Sequence, residues 1–262
     1  MESLEVLRAR VEVLLFDVDD TVTTDGRVEP VAIEALEALR AAGIRTVAVT
    51  GRPLGWAEVI AWTWPVDLAV GENGAGWMWR HGRHFVTRYF EDEPTRVAQR
   101  VALDAIAREI GRELPALPHA GDQALRRCDV AWDVGETWHA PEEDVVRASA
   151  LIRAAGMRAP RSSVHLHAVP GHWDKARGAV RALADRFGLG PEEARRSCAF
   201  VGDSGNDAEA FAFFDTSVGV ANVREHLSRI PTPPRYVTPS PRGRGFAELA
   251  QRLITHARGI DG

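Results

Sequence analysis

The stretch 11–16 (VEVLLF) is a short, largely apolar, β-branched run that stops at the acidic cluster Asp17, Asp19 and Asp20. That pattern predicts a buried strand with carboxylates at its C-terminal end. Pro30 then suits a first helical position, Ile33, Leu36 and Leu39 recur at helical spacing, and Gly43 closes the segment as a C-cap. Residues 44–49 (IRTVAV) predict a second strand ending in Thr50, Gly51 and Arg52. Residues 66–70 predict a third, ending in Gly71, Glu72, Asn73 and Gly74. The alternation returns near the end, with a helix over 174–187, a strand over 198–201 ending at Gly202 and Asp203, a helix from Asp207 and a strand over 217–220. Phe246, Leu249 and Leu253 mark a last helix. Such alternation predicts the α/β class: a Rossmann-like parallel sheet covered on both faces, with its ligand site at the strand C-termini.

Residues 83–169 read differently. A strand-like pair (77–79 and 85–90) leads into a long helix over 95–110. A strand over 125–134, a helix opened by Pro141 and a strand over 163–169 follow. This order predicts an α+β cap with an antiparallel sheet, inserted into a core made of 1–82 and 170–262. Its two connections would lie close together, as hinge motion over a cleft requires.

Composition narrows the function. The chain has 262 residues, 45% hydrophobic and 26% charged, as expected of a soluble globular protein and enough for two modest cores. Its 32 basic and 37 acidic side chains leave a formal charge of −5, with no basic stripe, so nucleic acid is not an expected partner. No run approaches 18 apolar residues, and residues 1–10 lack a signal-peptide core, so no membrane partner is expected. Cys128 and Cys198 show no CxxC spacing and suit a reducing, cytoplasmic setting. Lys175 is the sole lysine among 32 basic residues.

The chemistry sits at the predicted strand ends. Asp17 and Asp19, two residues apart, can face one pocket, one as nucleophile and one as proton carrier, provided a divalent cation relieves their repulsion. An acidic turn or helix cap is the ordinary alternative for such a motif. Asp203 offers a hard oxygen for magnesium, Gly205 permits a sharp turn, and Asp207 can hold a metal-bound water or the lysine. The Thr50 hydroxyl and the amides of Gly51 and Arg52 can face a phosphate at a helix start. Lys175 opens a helix, where its ammonium could neutralise both a phosphoryl oxygen and Asp17.

In this order, Asp17-x-Asp19-x-Thr21, Thr50-Gly51-Arg52, Lys175 and Gly202-Asp203-Ser204-Gly205-Asn206-Asp207 resemble the four motifs of the haloacid dehalogenase-like phosphatase superfamily. Residues 71–75 (GENGA) and 218–222 (VGVAN) are similar to its Cof-type subfamily IIB, which carries its cap between the second and third motifs. The resemblance implies a phosphomonoester hydrolase in which Asp17 attacks phosphorus, Asp19 serves the leaving group and then water, and Thr50 and Lys175 hold the phosphoryl group. It also implies Mg2+ on Asp17, the backbone carbonyl of Asp19, Asp203 and Asp207. Gly51, Arg52, Asn73 and Asn206 complete the implied substrate-binding set. Asp20 stands where many relatives have glycine. The implied substrate is a small-molecule phosphate ester, first of all a sugar phosphate. A phosphomutase and a catalytically idle binding protein are the alternatives, and the oligomeric state stays open.

Other features take ordinary readings. His165 and His167 share one face of a strand and are expected to meet solvent or hydrogen-bond partners rather than a metal. Trp56, Trp62 and Trp64 suit packing. Arg126, Arg127 and Trp132 lie on a predicted cap strand, where alternation would turn only one of the two arginines to the cleft.

Overall fold

The computed structural model describes residues 1–162, 164–257 and 259. The chain opens with β1 (Glu2–Ser3), β2 (Val13–Phe16) and a small hairpin of β3 (Thr23–Thr24) and β4 (Arg27–Val28). There follow α1 (Pro30–Ala41), β5 (Arg45–Val49), α2 (Leu54–Thr63), β6 (Leu68–Gly71) and a hairpin of β7 (Gly76–His81) and β8 (His84–Tyr89). The middle of the chain holds α3 (Glu93–Glu113), β9 (Val130–Asp133), α4 (Glu142–Ala154) and β10 (His165–Ala168). The last part runs α5 (Lys175–Phe187), α6 (Pro191–Ser197), β11 (Cys198–Gly202), α7 (Ala208–Phe213), β12 (Thr216–Gly219), β13 (Tyr236–Val237) and α8 (Arg242–Ala257).

Among the described residues, nine strands form one sheet in the order β1-β13-β12-β11-β2-β5-β6-β7-β8. It is parallel from β1 to β6, and the β7–β8 hairpin extends its edge antiparallel. From β2 the chain winds outward to β5 and β6 on one side, and later to β11 and β12 on the other. The switch point of the sheet therefore lies at β2, and the crevice beyond it is where doubly wound sheets place ligands.

Period-two geometry splits the strand side chains into two cores. Leu14 and Phe16 face α1, α2 and α8 with Leu36, Leu54, Phe246 and Leu249, whereas Val13 and Leu15 face α5 and α7 with Ala179, Leu183 and Phe211. Full burial of each large apolar side chain contributes about 1.5–3 kcal/mol, so both layers hold the strand ends in place. A third core joins Leu103, Ile106 and Ile110 of α3 to Val145 and Ile152 of α4, over Val130, Trp132, Leu166 and Ala168 of the β9–β10 pair. The Phe90 and Trp173 rings, 6.1 Å apart, bring together the two chain segments that lead into and out of this layer.

Two sequence expectations are corrected. The division at residue 83 would cut a hairpin, because β8 pairs with β7 from Gly76↔Tyr89 to His81↔His84 and so extends the large sheet. Of the strand expected over 125–134, only Val130–Asp133 forms; Gln123–Leu125 is a single 3-10 turn and 126–129 is irregular. The cause is a competing acceptor: Glu72 takes the backbone N–H groups of Arg127, Cys128 and Asp129, which a strand would have used in its ladder. The strand expected over 163–169 forms as His165–Ala168; Ser163 lies outside the described residues.

Candidate active site

Asp17 emerges directly from β2, its backbone N–H donating to Val201 of β11. Asp20 has φ 55°, the left-handed region. Glycine is at ease there and aspartate is among the more tolerant of other residues, so Asp20 fits the turn. Lys175 is carried in by α5, whose N-cap Asp174 accepts from the N–H of Arg177 at 2.8 Å. The helix start lies almost on the backbone of the 72–74 turn, since a Cβ on Gly74 (φ +104°) would stand 2.3 Å from the Asp174 carbonyl oxygen. Gly202 has a similar role at the end of β11, where a Cβ would stand 2.4 Å from Oδ2 of Asp207.

These elements converge on one buried charge cluster. The Lys175 ammonium lies 2.7 Å from Oδ1 of Asp17 and 2.7 Å from Oδ1 of Asp207, with no exposed side-chain surface. Asp207 Oδ2 accepts the N–H groups of Asp203 at 2.9 Å and Ser204 at 3.0 Å, so both its oxygens are engaged. Asp203 accepts from the hydroxyl of Thr21 at 3.3 Å and from Asn222 Nδ2 at 3.1 Å. Oxygens of Asp17, Asp203 and Asp207 lie within 4.8 Å of one another. Burial, then Asp207 and Asp19, push the Asp17 carboxyl up to about 7 against the pull of Lys175. Burial, Asp17 and Asp207 drive Asp203 well above the usual carboxylate range. Against its own burial, Asp17 and Asp207 hold Lys175 above the ordinary lysine value, hence charged. Three buried carboxyl groups thus crowd one ammonium, and hard oxygens so arranged could hold a metal cation.

Beside this cluster, Thr50 ends β5 fully buried, and its Oγ1 accepts the N–H of Arg52 at 3.0 Å. Gly51 lies against two amides: a Cβ on it would meet Asn73 Oδ1 at 3.1 Å and Asn206 Nδ2 at 3.3 Å. Asn206 donates to Asn73 at 3.0 Å, and Asn73 Nδ2 is buried without a partner among the described residues. Asn73 has φ 54° and Glu72 φ 48°, two consecutive left-handed residues that turn this amide toward the strand ends. Gly51, Asn73 and Asn206 thus form one group of contacts, joined through the neighbouring residues Asn206 and Asp207 to the cluster of Asp17, Lys175 and Asp203.

Asp19 is set apart. Its carboxylate is gripped by Arg52, with Nε at 2.9 and 3.1 Å and Nη2 at 2.7 Å. Both line a cavity of about 510 Å3 with Asp20, Glu136, His139 and Arg242, which opens between the strand ends and the β9–β10 layer.

The sequence reading missed the residues that tie the two layers together. Glu72, fully buried, accepts four backbone N–H groups, from Leu54 (3.0 Å), Arg127 (2.7 Å), Cys128 (2.5 Å) and Asp129 (3.1 Å). Burial and Asp129 raise its carboxyl to about 7, while these amides and Arg126 pull it down. Arg126 is not a cleft residue; it is buried, paired with Asp129 and Asp122, and donates to the Gly51 carbonyl at 3.0 Å. Arg127 lies at the surface beside Glu58 and Tyr89. Trp132 is buried in the third core and stacks on His119. His165 and His167 lie on the opposite face of β10 from that core, hydrogen-bonded to Glu136 and Asp129, each at 2.9 Å. Trp56 and Trp62 are partly exposed, with Arg52 over the first and Phe85 stacked on the second.

Comparison with known proteins agrees with this geometry. The profile of the haloacid dehalogenase-like hydrolases matches residues 14–99. A phosphoglycolate phosphatase of Pyrobaculum neutrophilum is 30% identical over 254 residues, which cover 93% of this chain and 96% of that protein. The chain belongs to the haloacid dehalogenase-like hydrolases. A phosphoglycolate phosphatase of Archaeoglobus fulgidus is 26% identical over 90% of this chain and 94% of its own length. Among solved structures, a sugar phosphatase of subclass IIB of this superfamily is similar in fold, with a TM-score of 0.61 and 18% identity over 95% of this chain and 100% of that one. Among the described residues, no helix of this hydrolase is long and apolar enough to cross a membrane.

Proposed function

We propose that this hydrolase cleaves small phosphate monoesters through an aspartyl-phosphate on Asp17. The observation that carries this reading is the buried chain Asp17–Lys175–Asp207 with Asp203 alongside, at the switch point of the sheet. An Asp17 oxygen attacks phosphorus as the bond to the ester oxygen breaks, and Asp19 gives its proton to the departing alkoxide. Water then attacks the phosphorus of the acyl phosphate, Asp19 takes its proton, and Asp17 is restored as inorganic phosphate leaves. The Thr50 hydroxyl and the Lys175 ammonium hold phosphoryl oxygens, and the unpaired Nδ2 of Asn73 supplies a further donor beside them. Asp17, Asp203 and the backbone carbonyl of Asp19 would hold Mg2+, with Asp207 fixing Lys175 behind them. Bound there, the ion would offset the charge that the phosphate brings to these carboxylates.

The substrate enters the cavity under a cap formed by α3, α4, β9 and β10, and is small. Phosphoglycolate is the first candidate, because two relatives that span nearly the whole chain act on it. Sugar phosphates are the second, favoured by the acidic lining of the cavity, where Asp20, Asp25 and Glu136 could accept hydroxyl hydrogens. Buried free thiols at Cys128 and Cys198 suit the cytoplasm. Purified protein with magnesium, tested against phosphoglycolate and a set of sugar phosphates, should release inorganic phosphate from at least one. Failure on all of them, together with inactivity on an aryl phosphate, would overturn the reading.

A further inference from the structure

Arg52 is shared by three carboxylates from two layers. On the strand side it holds Asp19 in a bidentate grip. From the cap, Glu136 Oε1 lies 2.6 Å from Nη2 and Asp122 Oδ2 lies 3.3 Å from Nη1, while the Trp56 ring lies 5.4 Å from the guanidinium carbon. The guanidinium is almost wholly buried, with 8% of its side-chain surface exposed. Glu136 is itself held from behind, its second oxygen 2.9 Å from Nε2 of His165. Its backbone belongs to a turn shaped by Asp133, whose carboxylate accepts the N–H groups of Gly135, Glu136 and Thr137. The cap thus presents Glu136 in a fixed place.

We propose that Glu136 is a positioning residue that couples the docked cap to Asp19: by occupying Nη2 of Arg52, it sets how Arg52 holds the Asp19 carboxylate. The inference rests on the phosphatase reading above. Arg52 has a fixed fork of donors, and every carboxylate added to it draws on the same positive charge. Without Glu136, the attraction of Arg52 concentrates on Asp19 and draws that carboxylate away from the leaving oxygen. With Glu136 in place the grip is divided, and Asp19 can swing to the ester. The cap then governs proton delivery as well as enclosure.

This separates Glu136 from a simple clamp. A clamp that only closes the cap affects every substrate alike, whereas a residue that acts through Asp19 matters most when the leaving oxygen is basic. The experiment compares Glu136→Gln with the wild type on phenyl phosphate and 4-nitrophenyl phosphate, two esters of similar size and unequal leaving groups. The variant should lose on the order of tenfold or more in kcat/KM, which reports the steps up to departure of the leaving group, on phenyl phosphate, within the range general acid catalysis supplies, and less than about twofold on the nitrophenyl ester. Glu136→Asp, too short to reach Nη2 in the same geometry, should show the same split and serves if the glutamine variant folds poorly. Glu113→Gln, which removes a surface pair with Arg147 elsewhere on the cap, should behave as the wild type. Equal losses in kcat/KM on both esters, or none on either, would overturn the proposal. If the wild type hydrolyses neither ester nor any physiological phosphate, it is the phosphatase reading that has failed.

Discussion

Lys175 Nζ lies 2.7 Å from Oδ1 of Asp17, and the sole lysine of the chain is fully buried there. A compact ammonium fits between the two carboxylates it bridges; a guanidinium is planar, larger and fixed in its fork. Lys175→Arg should therefore keep the charge and still lose about a hundredfold or more in kcat, the scale of losing one donor to the developing charge. Steady-state kinetics on an aryl phosphate checks this, and near-normal turnover would remove Lys175 from the site.

Asp203→Asn should weaken the response to magnesium. The carboxylate belongs to the buried cluster with Asp17 and Asp207, and an amide brings no charge to a cation. A titration of activity against magnesium should shift to clearly higher concentrations in the variant, and chelation should abolish wild-type activity. Unchanged wild-type turnover in excess chelator would exclude the metal role.

Glu72→Gln is expected to loosen the attachment of the cap. The carboxylate satisfies four backbone N–H groups, one from α2 and three from residues 127–129. A carboxamide turns its own N–H2 toward some of these donors, leaving them buried and unpaired at about 1–3 kcal/mol each. Thermal melting should fall by several degrees, at roughly 2–4 °C per kcal/mol for a chain of this size. Amide hydrogen exchange should quicken at 127–129 before it does in β2 or β5.

His167 sets a pH dependence of stability. Burial, opposed by Asp129, lowers its value from 6.5 to about 4, so the folded protein keeps the ring neutral. The unfolded chain binds a proton below about 6.5 whereas the folded one waits until about 4. Its contribution therefore destabilises progressively as pH falls through that window and is nil above it. The melting temperature of wild type should drop more steeply between pH 6.5 and 4 than that of His167→Gln. Parallel curves would show that His167 is not held neutral.

The sequence made the crevice legible because its residues are local to strand ends. Asp17, Thr50 and Asp203 each follow an apolar run, which places them at one edge of a parallel sheet, and Lys175 joins them through its resemblance to a superfamily motif. The cap was legible only in kind. Residues 125–129 have strand-like neighbours, but a buried glutamate distant in sequence takes the amides of 127–129, and no local pattern reports such an acceptor. Nor did Arg126 and Arg127 obey strand alternation: one is buried in ion pairs and the other reaches Glu58 at the surface. Glu136 gave no signal at all, since an acid in a glycine turn is commonplace until Arg52 is brought opposite it.

The stereochemical course at phosphorus tests the central claim most directly. With a phosphate monoester made chiral by oxygen isotopes, attack by Asp17 followed by attack of water comprises two in-line displacements, so the inorganic phosphate released should show net retention. Net inversion would mean that water attacks the ester in one step, and would contradict the role given to Asp17.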